Sequence, residues 1–214
     1  MNEAAILDRR SQPGARVAMS LALAVLASLF FIAVAAVPYF RLNEAQFGTL
    51  WPRRGWTLLH ITTGMVAILT GPVQLWLGLS DRYLSVHRKL GYVYLGAIAV
   101  SSVAAYYLAF HTDGGWIFAT GITGLATAWV VTSSLALVAI KRHLYEQHKE
   151  WMVRSYVVTL GFVTFRVLFS MLQSRGIGTV TEQLGVSAWF CWSVPLLITE
   201  AVMQGRRIVT VRTD

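Results

Sequence analysis

The sequence predicts an all-α, polytopic membrane protein with six transmembrane helices, and three observations support this prediction. Of the 214 residues, 56% are hydrophobic and only 13% are charged, and the mean hydropathy is +0.56. Apolar runs of about 20 residues recur, each long enough to cross a hydrocarbon core roughly 30 Å thick. Basic residues gather at alternate ends of these runs. We number the runs as spans 1 to 6: Val17–Phe40, Thr57–Leu79, Leu90–Phe110, Ile117–Ile140, Met152–Leu172 and Ser187–Gly205.

Span 1 follows an arginine-containing segment and is therefore either a cleaved signal peptide or an uncleaved anchor. Its apolar stretch of about 20 residues exceeds the 7 to 15 residues of a signal-peptide core, so we expect an anchor. The longest connections are expected between spans 1 and 2 and between spans 5 and 6. The single cysteine, Cys191, excludes an intrachain disulfide and a thiolate cluster.

The distribution of charge predicts orientation. With a cytoplasmic N-terminus, thirteen of the eighteen lysines and arginines lie at cytoplasmic ends, four lie at outer ends, and Arg166 lies within span 5. The net charge of +8 thus reflects topology, and we expect membrane lipids rather than nucleic acid as partners. The predicted organisation is a cytoplasmic segment over 1–16, one six-helix transmembrane domain over 17–205, and a cytoplasmic basic tail over 206–214.

Small and polar residues form stripes on the middle spans. On span 2, Gly64, Ala67, Gly71 and Gln74 lie within about 40° of His60 at roughly 100° per residue. Such a stripe admits either a neighbouring helix or a flat ligand. Together the stripes predict a four-helix core of spans 2 to 5, with spans 1 and 6 peripheral; tight helix packing is the alternative. The further stripes are Gly91, Tyr94, Ser101 and Ala105 on span 3, interrupted by Ile98, and Gly121, Gly124, Ala128 and Thr132 on span 4.

Ionisable and amide side chains are predicted to form two layers within the membrane. Arg166 lies about 9 Å and His60 about 5 Å inside the outer ends of their spans, so both belong to an outer layer. Arg166 stays protonated, so its partners are carbonyls, water or an anionic group of a ligand, unless the side chain snorkels to the interface. The inner layer comprises Gln74, His87, His148, Arg154 and Glu200.

The inner layer allows two interpretations. Glu200 is the only acidic residue within a predicted span, and an ion pair with Arg154 or a histidine would orient the helices. Alternatively, His87 and His148 bind haem iron or another metal ion, for which neutral imidazole is a common ligand.

Three motifs, HITTGMVAILTGPVQ (60–74), VHRKLGYVY (86–94) and HKEWMVRSYVVTLGFVTFR (148–166), resemble a bacterial family of predicted membrane proteins called domain of unknown function 2306. The resemblance covers spans 2 to 5 and implies a bacterial membrane protein. Together with the charge distribution, it predicts a multi-pass protein of the bacterial inner membrane with both termini cytoplasmic. It implies no activity. The positions that match the family motifs are His60, Gln74, His87, Arg88, His148, Trp151, Arg154 and Arg166.

Two function hypotheses follow. The first is a redox-type membrane protein that binds haem b or a quinone through His60, Gln74, His87, His148, Arg154 and Arg166. In this hypothesis His60, His87 and His148 are ligands of the haem iron or metal, and Arg166 faces an anionic group. The outline is similar to di-haem transmembrane cytochromes b, which carry paired histidine ligands on facing helices. For His60, the one candidate for the paired histidine is His111. The second is a non-enzymatic transporter, lipid binder or assembly factor with a small hydrophobic or anionic ligand. A membrane hydrolase is disfavoured, because no Ser/His/Asp set lies at a common depth.

Overall fold

The computed structural model describes residues 15–80 and 83–211, with side chains over 19–78 and 83–209. Most of the predicted N-terminal segment 1–16 therefore lies outside the described residues. Six helical stretches are long and apolar enough to cross a membrane, which confirms the all-α, six-span prediction. They run over Met19–Arg41, Glu44–Gly78, Leu84–Phe110, Trp116–Lys141, Tyr145–Ser174 and Val180–Val209.

The α-helices carry the labels α1 to α8 in chain order. Helix α1 continues through a π-helical turn (Ile32–Ala36) and a 3-10 turn (Val37–Arg41), and a second 3-10 turn (Gly48–Arg53) precedes α3. Span 5 is divided between α6 and α7, with Leu160 between them. The helices are α1 Ala15–Phe31, α2 Glu44–Phe47, α3 Arg54–Ser80, α4 Leu84–Phe110, α5 Trp116–Lys141, α6 Tyr145–Thr159, α7 Gly161–Ser174 and α8 Val180–Val211.

Several helices extend beyond their apolar runs. Helix α4 begins at Leu84, ahead of the predicted Leu90, and α8 continues to Val211, into the predicted basic tail. Hydropathy marks only the part of a helix that matches the hydrocarbon core, whereas intrahelical hydrogen bonds continue into the polar interface. The predicted single domain over 17–205 and the cytoplasmic location of the tail stay predictions.

The connection between spans 1 and 2 is folded rather than a long loop. We call residues 37–53 the cap; it consists of two 3-10 turns with α2 between them. The side chain of Asn43 accepts a hydrogen bond from Ala45 N at 2.9 Å and so caps α2. The rings of Tyr39 and Phe47 meet edge to face at 5.1 Å, and those of Phe47 and Trp51 at 5.6 Å. Tyr39 and Phe47 are buried and Trp51 is half-buried, and the contacts among their rings hold the cap together.

The expectation of a long connection between spans 5 and 6 was wrong, because α7 ends at Ser174 and α8 begins at Val180. Gly176 and Gly178 adopt positive φ angles of 62° and 72° in this turn. Thr179 and Glu182 form a capping box: the Glu182 carboxylate accepts from Thr179 N at 2.7 Å, and Thr179 Oγ1 accepts from Glu182 N at 3.3 Å. Helix α8 therefore starts well before its apolar run.

Contacts group the chain into two compact units, the first ending at Ala104 and the second beginning at Ala105. In the first unit α1 packs against α3. Leu21 and Val25 of α1 line a shallow groove together with Val73 and Trp76 of α3. Side-chain hydrogen bonds described below join α3 to α4 within the same unit.

In the second unit, span 6 packs against spans 4 and 5. Trp129 of α5 is buried, and its ring meets that of Phe162 at 5.1 Å. Gly121 of α5 lies so close to α8 that an added Cβ would be 2.8 Å from Ala188 Cβ. An added Cβ at Gly124 would likewise be 2.8 Å from the Trp192 ring. The span 4 glycines thus serve helix packing.

The burial of the six spans agrees with the predicted peripheral placement of spans 1 and 6, but span 6 also packs closely against its neighbours. The apolar windows of spans 1 and 6 are the least buried of the six, at 17% each, against 28 to 39% for spans 2 to 5. Span 6 is nevertheless a packing partner of α5 and α7, because Gly121 and Gly161 let its backbone approach closely. Low average burial arises because a helix can present one face to a neighbour and the others to lipid.

We predict that Gly121→Ala destabilises the protein by about 1–3 kcal/mol, because the new methyl group overlaps Ala188. Gly96→Ala is the matched control: Gly96 lies in α4, and an added Cβ there meets no atom within 4 Å. This control should be neutral or stabilising by up to about 1 kcal/mol. Thermal unfolding of both purified variants in one detergent measures the difference. Equal unfolding temperatures for the two variants contradict the packing described here.

Candidate functional site

His60 is held by a neighbouring helix of the first unit. Its Nδ1 lies 3.1 Å from the Ser101 carbonyl oxygen and 3.0 Å from Ser101 Oγ, and Ser101 Oγ donates to the His60 carbonyl at 3.2 Å. A carbonyl oxygen only accepts hydrogen bonds, so Nδ1 carries the proton. In the neutral ring Nε2 then bears the lone pair. The contact fixes both the tautomer and the direction of the imidazole.

The small-residue stripe below His60 is a helix-packing face. One turn along α3, an added Cβ at Gly64 would lie 3.8 Å from Ser101 Oγ. Ala67 has no exposed surface, and Gly71 is buried. Of the two interpretations of this stripe, a neighbouring helix or a flat ligand, the packing of α4 accounts for Gly64.

Gln74 and His87 meet at the opposite end of the same two helices. Gln74 Nε2 donates to the His87 carbonyl oxygen at 2.8 Å, and the Gln74 side chain is almost fully buried. Glycines make room for both: an added Cβ would lie 3.0 Å from Gln74 Nε2 at Gly91, and 3.3 Å from the His87 ring at Gly78. Gln74 Oε1 is a buried acceptor with no hydrogen-bond partner in the described part of the chain. The structure thus brings two predicted site residues together.

His148 in the second unit repeats the arrangement of His60. Its Nδ1 lies 2.9 Å from the carbonyl oxygen of Ala136, on α5. Here too the carbonyl fixes the proton on Nδ1 and the lone pair on Nε2. His143, five residues earlier, is exposed, adopts a positive φ of 59° and contacts the Tyr145 hydroxyl at 3.4 Å.

Arg154 and Glu200 form the ion pair that was one interpretation of the inner layer. Arg154 Nε and Nη2 donate to Glu200 Oε2 at 2.9 and 2.6 Å, and Gln204 Nε2 donates to Glu200 Oε1 at 2.6 Å. The Arg154 side chain is 9% exposed and that of Glu200 is 42% exposed. The arginine is therefore the buried partner, and the carboxylate reaches it from the surface of α8.

The pair belongs to a wider charge network that joins α6 to α8. Glu150 Oε2 lies 3.7 Å from Arg154 Nη1, and Glu150 also binds Arg207. The Arg154 guanidinium lies 4.7 Å from the centre of the Trp151 ring. Each charge of this network thus faces an opposite charge, an amide or an aromatic face, which compensates the loss of water around Arg154.

Arg166 is exposed on α7 rather than buried in a helix interface. It follows Phe165, whose ring centre lies 6.0 Å from that of Phe118 and 6.0 Å from that of Phe169. Helix α7 ends at Ser174, about 12 Å further along the axis. An exposed arginine at this depth can extend its guanidinium toward the membrane interface, which agrees with the snorkelling interpretation.

A buried polar seam between α5 and α6 was not predicted. Trp129 Nε1 donates to Thr159 Oγ1 at 2.8 Å, and the hydroxyls of Ser133 and Ser155 lie 2.8 Å apart. The spacing of four residues on each helix, 129 to 133 and 155 to 159, places these polar groups on one face. That spacing is the signal that could have found the seam. Over the ranges for which side chains are described, no three His, Cys, Asp or Glu residues gather as a metal site.

The sequence profile of a family described as "Predicted membrane protein (DUF2306)" matches residues 57–203, about two thirds of the chain. The chain belongs to this family. No curated protein and no solved structure matches the chain.

Membership in the DUF2306 family establishes an integral membrane protein without an assigned activity. The matched range contains His60, Gln74, His87, His148, Arg154, Glu200 and Arg166. The cap and α1 precede it. The DUF2306 region therefore includes both helix-bound imidazoles and the Arg154 ion pair.

We predict that Glu200→Leu lowers the stability of this DUF2306 protein by about 1–3 kcal/mol, since it leaves the buried Arg154 without its main partner. The expected loss is below that of a fully buried pair, because Glu200 is partly solvated. Glu146→Leu is the matched control, since it removes an exposed ion pair with Lys149, whose side chains are 83% and 47% exposed. It should cost under about 1 kcal/mol. Chemical unfolding in detergent compares the two, and equal losses contradict a stabilising role for the Arg154 pair.

Proposed function

We propose that this protein is a redox-type membrane protein that binds a hydroquinone or a haem at the imidazole Nε2 atoms of His60 and His148. One observation carries the proposal: in both units a main-chain carbonyl of a neighbouring helix, Ser101 O or Ala136 O, accepts from Nδ1. Imidazoles that bind a metal are usually held in this way by a second partner on the other nitrogen.

The chemistry of the lone pair defines the ligand. A nitrogen lone pair coordinates haem iron or accepts a hydrogen bond, and then a proton, from the hydroxyl of a hydroquinone. It does not donate to a quinone carbonyl unless the ring is doubly protonated. At the Gln74 end, the buried Oε1 is an acceptor of the same kind, because its amide nitrogen is committed to the His87 carbonyl.

A di-histidine haem fits neither unit taken alone. His60 and Gly78, which faces the His87 ring, are eighteen residues apart on α3, or about 27 Å. In the second unit, His148 bonds to Ala136 of α5. His111 precedes the start of α5, which lies about 30 Å from Ala136 along the helix axis. A hydroquinone needs only one imidazole, so the hydroquinone version fits each unit better. Bound haem would add one-electron chemistry.

The remaining predicted site residues take supporting parts in this proposal. Arg154 is engaged by Glu200 and orients α6 against α8. Arg166 lies exposed on α7, where we propose that it faces an anionic group of a ligand or lipid.

We predict that the purified protein binds a short-chain hydroquinone at least about tenfold more tightly than the corresponding quinone, which lacks the hydroxyl donors. His60→Ala and His148→Ala should each weaken this preference at their own site. Isothermal titration in detergent gives both affinities, and an absorption spectrum after haem-replete expression tests the haem version.

His143→Asn is the matched control, since His143 is exposed and asparagine tolerates its positive φ. It should leave the binding unchanged. Absence of a Soret band rejects haem and leaves the hydroquinone version standing. Equal affinities for both probes in the wild type, or unchanged binding in both alanine variants, reject the hydroquinone version.

We also propose that the protein lies in the bacterial inner membrane with both termini in the cytoplasm. The distribution of basic residues supports this orientation. The only cysteine, Cys191, is buried, so it offers little background to thiol labelling. Gln46→Cys in the cap should react with a membrane-impermeant maleimide in intact spheroplasts, and Gln147→Cys only after permeabilisation. Labelling in the reverse order contradicts the proposed topology.

A further inference from the structure

The cap and the residue that follows it carry three arginines between spans 1 and 2, and we propose that these arginines bind the phosphate groups of anionic phospholipids. This inference goes beyond the redox proposal and is independent of it. The cap and the residue after it contain Arg41, Arg53 and Arg54 against a single acidic residue, Glu44. The segment therefore has a net positive charge.

Exposed apolar side chains surround the first of these arginines. Phe40 is 47% exposed and Leu42 is 54% exposed, and Arg41 lies between them in the chain and is also exposed. Because two candidate membrane spans meet in the cap, we place these apolar side chains at the lipid interface. An arginine flanked by two exposed apolar residues is suited to acyl chains below and phosphates above.

The other two arginines are positioned by the cap itself. The Arg54 guanidinium lies 4.8 Å from the centre of the Trp51 ring, and its Nη1 donates to the Trp51 carbonyl at 3.3 Å. Arg53 Nη1 donates to the Thr49 carbonyl at 3.5 Å. Each of these contacts restrains a guanidinium group. Restrained arginines lose less entropy when they bind a phosphate than flexible lysines do.

The chemistry of the patch favours phosphate over other anions at this depth. A guanidinium group binds two phosphate oxygens with parallel hydrogen bonds. Arg54 is the first residue of α3, so the positive end of a 27-residue helix dipole adds to the same field. Phosphate is the anion that a bilayer presents at its surface, and anionic headgroups add net charge.

The test compares affinities of the full chain in zwitterionic detergent for phosphatidylglycerol and phosphatidylcholine. We expect phosphatidylglycerol to bind more tightly to the wild type, and replacement of each arginine by glutamine to weaken that binding about fivefold. The triple variant Arg41→Gln/Arg53→Gln/Arg54→Gln should lose most of the preference for phosphatidylglycerol. The triple lysine variant keeps the charge but loses the paired hydrogen bonds, so its preference for phosphatidylglycerol should lie between those of the wild type and the triple glutamine variant.

A control variant outside the cap tests whether the effect is specific to the three arginines. Lys141→Gln/Arg142→Gln removes two exposed cations at the far end of α5 and should leave cap binding intact. If the triple glutamine variant fails to fold, the single variant Arg41→Glu carries the test, because Arg41 is exposed and outside the aromatic cluster. An unchanged preference in these variants overturns the proposal. Inorganic phosphate that binds as tightly as the lipid also overturns it, because the ligand is then a free phosphate.

Discussion

A bilayer core offers no hydrogen-bond partner to a polar side chain, and this constraint organises the contacts of the chain. Backbone groups satisfy it by forming helices. Hydroxyl side chains such as Thr70 and Thr132 donate to a carbonyl of their own helix, whereas larger polar side chains reach a neighbouring helix. His60 reaches Ser101, His148 reaches Ala136, and Trp129 reaches Thr159. Each contact joins two spans of one unit at a fixed rotation. Apolar packing alone would not fix that rotation, because lipid is as apolar as the helix faces.

The spans could be predicted from sequence because the thickness of the hydrocarbon core dictates their length. The ends of the helices could not be predicted, because hydropathy does not distinguish helix from loop outside the hydrocarbon core. The start of α8 depends on the capping box of Thr179 and Glu182, a local signal that was present in the sequence. The fold of the cap was not predicted for a different reason. Its turns depend on contacts among Tyr39, Phe47 and Trp51, which become neighbours only in the fold.

The polar residues of the site divide in the same way. Arg154 was predictable as the partner of Glu200, because Glu200 is the only acidic residue within a predicted span, and the ion pair is present. The contact of Gln74 with His87 places two predicted residues together, but their spacing in the sequence does not encode the contact. For Arg166 the sequence allowed both a buried and a snorkelling side chain and did not decide between them. Span 5 is apolar on most of its surface, so periodicity does not separate a lipid-facing side from a helix-facing one.

The polar contacts also differ in the ligand chemistry that they are compatible with. At the Arg154 ion pair, Glu200 uses both carboxylate oxygens, so a ligand there would have to displace an existing hydrogen bond of a buried charge. An imidazole that donates from Nδ1 has its lone pair on Nε2, and the structural contact fixes the direction of that lone pair. The same residue can therefore join helices and act as a base or ligand. This difference is why the proposed chemistry rests on His60 and His148, whereas the charged residues are assigned to holding the helices together.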